Sequence, residues 1–262
     1  MSAADKSGII LSFASGQNTR IGFDCMAQDA ALPDGTLNPS ATRGVRVSDA
    51  RPDGGGTVTI SDGTNEERIT LRGSNARPFR DPIIVGWMDD KRAAVIAFQG
   101  DARYVLMVEP TGRVTALGEL PETATEFAAR EGAFWYVTVT PGPGIELGPR
   151  GPSEIRRLGS DGKEATVSRA EDDAIEAFIP GPDGRFAYIV GGTLFAGKGM
   201  ETKNAGTGRP VGWLDNGDLL AARGEKLIRI SDSGQATEIG VDVPDGVPMV
   251  WSITLDAEPA SR

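Results

Sequence analysis

The sequence predicts an all-β fold, a ring of four-stranded blades of the β-propeller kind. Three observations carry that prediction. The composition is punctuated by Gly and Pro, aromatic residues recur at blade spacing, and a similar series of short apolar segments and tight turns follows each aromatic. Of 262 residues, 35 are Gly and 17 are Pro, while apolar residues make up 39% and aromatics 6%. A chain of this length buries most of its apolar surface in one or two domains. Here Gly and Pro divide the apolar segments instead of replacing them, and short strands joined by tight turns follow.

The aromatics Trp87, Phe127, Phe178, Trp213 and Trp251 lie 35 to 51 residues apart, at what reads as the start of an inner strand. Val85-Gly86-Trp87-Met88-Asp89 is echoed by Val211-Gly212-Trp213-Leu214-Asp215, and Ile21-Gly22-Phe23-Asp24 reads as a sixth anchor. After each anchor comes a polar turn and then an apolar strand: Ala93–Phe98, Phe134–Val139, Phe186–Val190 and Leu219–Ala222. A third strand begins near Tyr104, Glu154, Leu194 and Leu227. Hairpin turns then lead to a fourth, at Pro110-Thr111-Gly112, Ser160-Asp161-Gly162 and Asp232-Ser233-Gly234, and Asp62-Gly63 joins Thr57–Ser61 to Arg68–Leu71 in the same way. Gly supplies positive φ in such turns, and Asp caps its own backbone. Four strands in about 40 residues is the period of a propeller blade. The one helix-like stretch, Glu122–Arg130, is weakened by Thr123 and Thr125. A β-sandwich is the rival, but it does not require anchors at blade spacing.

The segment GPDGRFAYIVGGTLF, residues 181–195, resembles the repeat of the TolB-type, WD-like bacterial propellers. The resemblance covers residues 80–240 well and 20–75 loosely. It implies a propeller fold, a role among interaction modules or non-catalytic propeller domains, and a periplasmic or surface location with the export signal removed. The N-terminus itself has no basic start or long apolar core, so a cytosolic chain fits as well.

The whole chain, 1–262, is expected to form one domain. Anchors at Phe23, Trp87, Phe127, Phe178 and Trp213, with a composite closing blade from Gly8–Phe13 and Val247–Leu255, give six blades. If Phe23 is not an anchor the count is five, and residues 15–55 are mostly insertion. Closure matters because open strand edges invite aggregation.

Composition excludes several classes of function. Acidic residues outnumber basic ones 37 to 27, a net charge of −10, and no basic stripe offers itself to nucleic acid or an anionic membrane. The longest apolar run, about Ala93 to Phe98, is far short of the ~20 residues that a membrane helix needs. His is absent, which removes a Ser-His-Asp triad, a His base and His metal ligation. The single Cys25 excludes an internal disulfide and a Cys-only zinc site. Gly191-Gly192 and Gly197-Lys198-Gly199 lack the spacing of a phosphate-binding loop. No metal or other cofactor is expected.

What remains is a protein partner. Residues 141–152 and 198–210 read as insertions on one face of the ring, and Cys25 to Thr42 as an excursion from the other. Trp135 lies in the run Phe134-Trp135-Tyr136, where it must point opposite to its neighbours. It reads either as an interface hot spot or as a packed inter-blade Trp. With Ile145, Glu146, Lys203 and Asn204 it makes the expected partner-binding set. Asp89, Asp90 and Asp215 read as turn-formers. Glu126 and Glu176 precede anchors on innermost strands, so alternation directs them toward the central channel. There they are solvated, attract a cation, or act as an acid–base pair on a glycosidic bond. The leading expectation is a non-enzymatic propeller that binds a protein. The alternative is a propeller enzyme acting on a carbohydrate or lactone through Glu126 and Glu176, with or without a divalent cation.

Overall fold

The computed structural model describes residues 36–40, 42–48, 55–73, 77–140, 151–171, 173–214, 216–224 and 226–239. These form five four-stranded antiparallel sheets, each a simple meander in chain order. Blade 1 holds β1 to β4 (Thr36–Leu37, Gly44–Val47, Thr57–Ser61, Glu66–Thr70) and blade 2 holds β5 to β8 (Arg80–Asp89, Arg92–Gln99, Ala102–Val108, Val114–Leu120). Blade 3 holds β9 to β12 (Ala124–Arg130, Ala133–Val139, Ser153–Gly159, Glu164–Ala170). Blade 4 holds β13 to β16 (Glu176–Pro180, Arg185–Val190, Thr193–Lys198, Glu201–Gly206), and blade 5 holds β17 to β20 (Arg209–Trp213, Leu219–Arg223, Lys226–Ile230, Ala236–Ile239). The first strands β1, β5, β9, β13 and β17 are neighbours in series, so each blade runs outward from a shared centre.

The repeat thus corresponds to a β-propeller, with five blades among the described residues. Phe23 and the two segments assigned to the closing blade, Gly8–Phe13 and Val247–Leu255, lie outside them. Every described anchor falls on an innermost strand: Trp87 on β5, Phe127 on β9, Phe178 on β13 and Trp213 on β17. Trp87 and Trp213 close their strands rather than open them, however. The helix-like stretch 122–130 is largely strand β9, where β-branched Thr125 suits a pleated backbone. Two stretches expected as insertions are also strand. Thr36–Leu37, within the 25–42 excursion, is the innermost strand of blade 1. Residues 198–210 contain the Gly199–Met200 turn, all of β16 and the start of β17.

Burial follows from alternation, because blades 2, 3 and 4 have apolar neighbours on both sides. On β10, Phe134 and Tyr136 pack toward blade 2, whereas Ala133, Trp135 and Val137 pack toward blade 4. On β6, Val95 and Ala97 face blade 1 while Ala94 and Ile96 face blade 3. Four apolar layers of this kind lie between the five blades. Polar contacts reinforce them at the turns. Asp90 in blade 2 accepts the Ser40 backbone N–H of blade 1 at 2.9 Å. Glu131 in blade 3 accepts the N–H groups of Asp183 and Gly184 in blade 4 at 2.6 and 3.1 Å. Arg185 in blade 4 pairs with Asp232 in blade 5 at 2.5 Å.

Candidate functional site

Four antiparallel strands per blade and short links between blades make all innermost strands run the same way. The turns joining first to second and third to fourth strands therefore share one face, here the turn face. The second-to-third loops and the links between blades share the other, the crossover face. The innermost strands begin at the crossover face, where they line the mouth of the channel.

Exposed side chains concentrate at those strand starts. Arg80, Asp81 and Ile83 are exposed on β5, Thr125 and Glu126 on β9, Glu176 on β13 and Arg209 on β17. Ile83 is 54% exposed, although the same strand buries Trp87 and Met88. Pairing places four of these at one level. Ile83 pairs with Ile96, Glu176 with Ile189 and Arg209 with Ala222, and Glu126 sits in the bulge between the Trp135 and Val137 pairs. Each position lies opposite the fourth or fifth residue of its second strand. Bulges recur there: Glu126 has φ 47° and Ala177 has φ 49°. A non-Gly residue in this region costs about 1–3 kcal/mol, and the bulge re-aims the side chains beside it. Arg80, Glu126, Glu176 and Arg209 form no ion pair among the described residues.

Further out on the same face, a cavity of about 300 Å³ opens on blade 3 beside its link to blade 2. The 121–123 link, the end of β10 and the start of β11 form its walls, with Thr123, Thr138, Thr140, Glu154, Arg156 and Arg169 as the polar lining. Arg156 pairs with Glu154 at 2.9 Å and Glu164 at 3.3 Å, and Arg169 pairs with Glu154 at 3.6 Å and Glu171 at 3.1 Å. Five donors on each guanidinium leave N–H groups for a ligand. Arg103, at the start of β7, fixes the link by donating to the carbonyls of Pro121 at 2.7 Å and Glu122 at 2.8 Å.

Of the expected partner residues, the described ones, Trp135, Lys203 and Asn204, do not come together. Trp135 is 1% exposed, with the Phe178 ring tilted against it at 6.1 Å and the Arg157 guanidinium 5.6 Å over its ring. The packed alternative therefore describes it, because both sides of a blade are covered. Lys203 and Asn204 are exposed on β16, the outermost strand of blade 4. Residues 198–210 are thus strand and turn and not an inserted loop. Ile145 and Glu146 lie outside the described residues. Glu126 and Glu176 occupy neighbouring innermost strands as expected. Among the turn acids, Asp89 bonds Arg92 at 2.6 Å. Burial pushes its carboxyl up, but the Arg92 and backbone hydrogen bonds bring it below the usual carboxylate range. Asp232 is also held low, first by its hydrogen bond from Arg185 and then by the Arg185 charge, with Lys203 and Lys198 adding to it. Asp215 lies outside the described residues.

Sequence reasoning missed Arg80, Ile83 and Arg209. Each anchor reads as the start of its strand in the sequence, so Arg80, Ile83 and Arg209 carry no assignment there. The signal was present as a charged residue up to seven positions ahead of the anchor, at Arg80 before Trp87 and Arg209 before Trp213.

Among the described residues no group of three Asp, Glu or Cys side chains is placed to hold a metal ion, and no helix is long and apolar enough to cross a membrane. No family model matches the sequence, and no curated protein matches it either. Solved structures do match. An oligogalacturonate lyase from Vibrio parahaemolyticus superposes with a TM-score of 0.53 at 10% identity, covering 80% of this chain and 65% of the lyase. Dipeptidyl peptidase 4 from Porphyromonas gingivalis gives a TM-score of 0.53 at 9% identity, covering 79% of this chain and 38% of the peptidase. TolB from Acinetobacter baumannii matches at 16% identity over 78% of this chain and 54% of TolB, with a TM-score of 0.45 that adds no weight. The chain thus spans just under two thirds of the lyase's length. At such identities the likeness is one of fold. The class is the β-propeller, and the resemblance to propeller repeats holds at that level.

Proposed function

We propose that this chain is a non-enzymatic propeller that binds another protein through its crossover face. The carrying observation is the cavity on blade 3 beside the 121–123 link, about 300 Å³ and walled by two arginines, a glutamate and three threonines, with Thr140 and Pro152 at its edge. That volume is at the lower end for a small-molecule pocket. It suits one side chain of a partner whose remaining contacts fall on Ile145 and Glu146. Lys203 and Asn204, on the rim of blade 4, are proposed as a separate contact for a partner that extends beyond the face.

Immobilised wild-type chain and the variants Ile145→Ala, Glu146→Ala and Arg169→Ala, compared for capture of partner protein, test the reading. Capture should weaken about tenfold for at least one variant, as expected for an interface anchor, while Tm stays unchanged. Equal capture by all three discards the surface.

The second reading, a carbohydrate-active propeller, is favoured by one observation: Glu126 and Glu176 lie at one level on adjacent strands. Release of reducing ends or unsaturated products from acidic oligosaccharides, abolished by Glu126→Gln or Glu176→Gln, would establish it. Equal background in wild type and variants would remove it.

A further inference from the structure

We propose that the channel mouth on the crossover face is a seat for one basic side chain, Lys or Arg, presented by a protein partner. The inference deepens the partner-binding reading and rests on it. In ring order, the level described above reads Ile83, Glu126, Glu176, Arg209 on β5, β9, β13 and β17. The two carboxylates are central and adjacent. An apolar side chain lies on one side of them and a guanidinium on the other.

This order matches the anatomy of a basic side chain. Lys and Arg carry an aliphatic stem that prefers apolar surface and a charged head that prefers charge or water. Ile83, 54% exposed, offers the stem a surface beside Glu126. Glu126 and Glu176 offer the head two acceptors, and charge-assisted hydrogen bonds are about twice as strong as neutral ones. Neither carboxylate is engaged by an arginine of its own chain among the described residues, although Arg80 and Arg209 stand on the flanking strands. Those two cations disfavour a second basic residue beside the first, and give an acidic residue of the same segment a place to pair. The net charge of −10 draws a cationic segment toward the molecule.

The experiment titrates the ¹⁵N-labelled full chain with Nα-acetyl-lysine amide, with the uncharged norleucine analogue and the glutamate analogue in parallel. Lysine should give saturable amide shifts at residues 83, 126 and 176–177, and norleucine should bind about tenfold more weakly because it lacks the charge-assisted bonds. Glu126→Gln and Glu176→Gln should each weaken lysine binding by a similar factor, Ile83→Ser should weaken lysine and norleucine alike, and Glu67→Gln on blade 1 should change neither. The near-isosteric Gln variants should keep the wild-type spectrum away from the mouth. No lysine response at these residues, or undiminished wild-type lysine affinity in both Gln variants, overturns the proposal. No protein partner enters this titration, so its outcome stands apart from the capture assay: either can fail while the other holds.

Discussion

At Gly181, the first-to-second turn of blade 4 passes directly beneath the indole of Trp213. A Cβ there would lie 2.6 Å from the ring carbon Cε2. The φ of −116° is ordinary, so the constraint is contact with the next blade and not backbone conformation. Gly181→Ala should cost about 1–3 kcal/mol, the usual range for an overpacked core, read as a lower midpoint in urea; an unchanged midpoint would mean that the blades separate freely. The two anchors with near-identical motifs also differ. Trp87 Nε1 donates to the Thr36 carbonyl at 2.7 Å, whereas Trp213 Nε1 is buried without a partner among the described residues. Trp87→Phe should therefore destabilise more than Trp213→Phe, because it alone breaks a hydrogen bond and strands an acceptor. Trp135→Ala, by contrast, should cost about 3–5 kcal/mol, as for other buried aromatics, without a specific loss of binding. Asp232 supplies the pH test. Its folded carboxyl lies below the ordinary value, so the folded state holds the proton less tightly than the unfolded one. Its contribution to stability is full above the unfolded carboxylate pKa of about 3.9 and is lost as pH falls toward the lower folded value. The Tm difference between wild type and Asp232→Asn should accordingly shrink between pH 6 and pH 3.

At the scale of the element, the innermost strands carry both packing and the candidate site, at opposite ends. Their later residues, Trp87 and Trp213 among them, fill the space between blades. Their early residues Arg80, Thr125, Glu126, Glu176 and Arg209 face water. This division explains what the sequence made legible. Large rings at blade spacing report a packing requirement that every repeat must meet, so anchors, second strands and hairpin turns could all be read. Ile83 and Arg209 answer to no such requirement. They became visible as neighbours of Glu126 and Glu176 only when register placed them at one level. The 198–210 stretch misled for a related reason: Lys, Glu, Thr and Asn suit an outermost strand wetted on its edge as well as they suit a loop. Arg103 adds an element-level prediction. It holds the 121–123 link through two carbonyls, so Arg103→Ala should speed amide exchange in 121–124 and loosen the cavity wall while leaving the turn face unaffected.

At the scale of the whole molecule, each blade is stabilised chiefly by its neighbours, through apolar layers and the carboxylate clasps of Asp90, Glu131 and Asp232 on the turn face. That face is spent on holding the ring together. The crossover face instead carries a cavity and, among the described residues, charges at the strand starts that form no ion pair, and the proposed recognition falls there. Hydrogen–deuterium exchange of the chain with and without its captured partner tests this division most directly. Protection is predicted at the strand starts 80–83, 125–126, 176–177 and 209 and along the cavity wall at 121–123 and 138–140. Protection confined to the turns at 89–91, 131–132, 182–184 and 216–217, with the strand starts unchanged, would contradict the account.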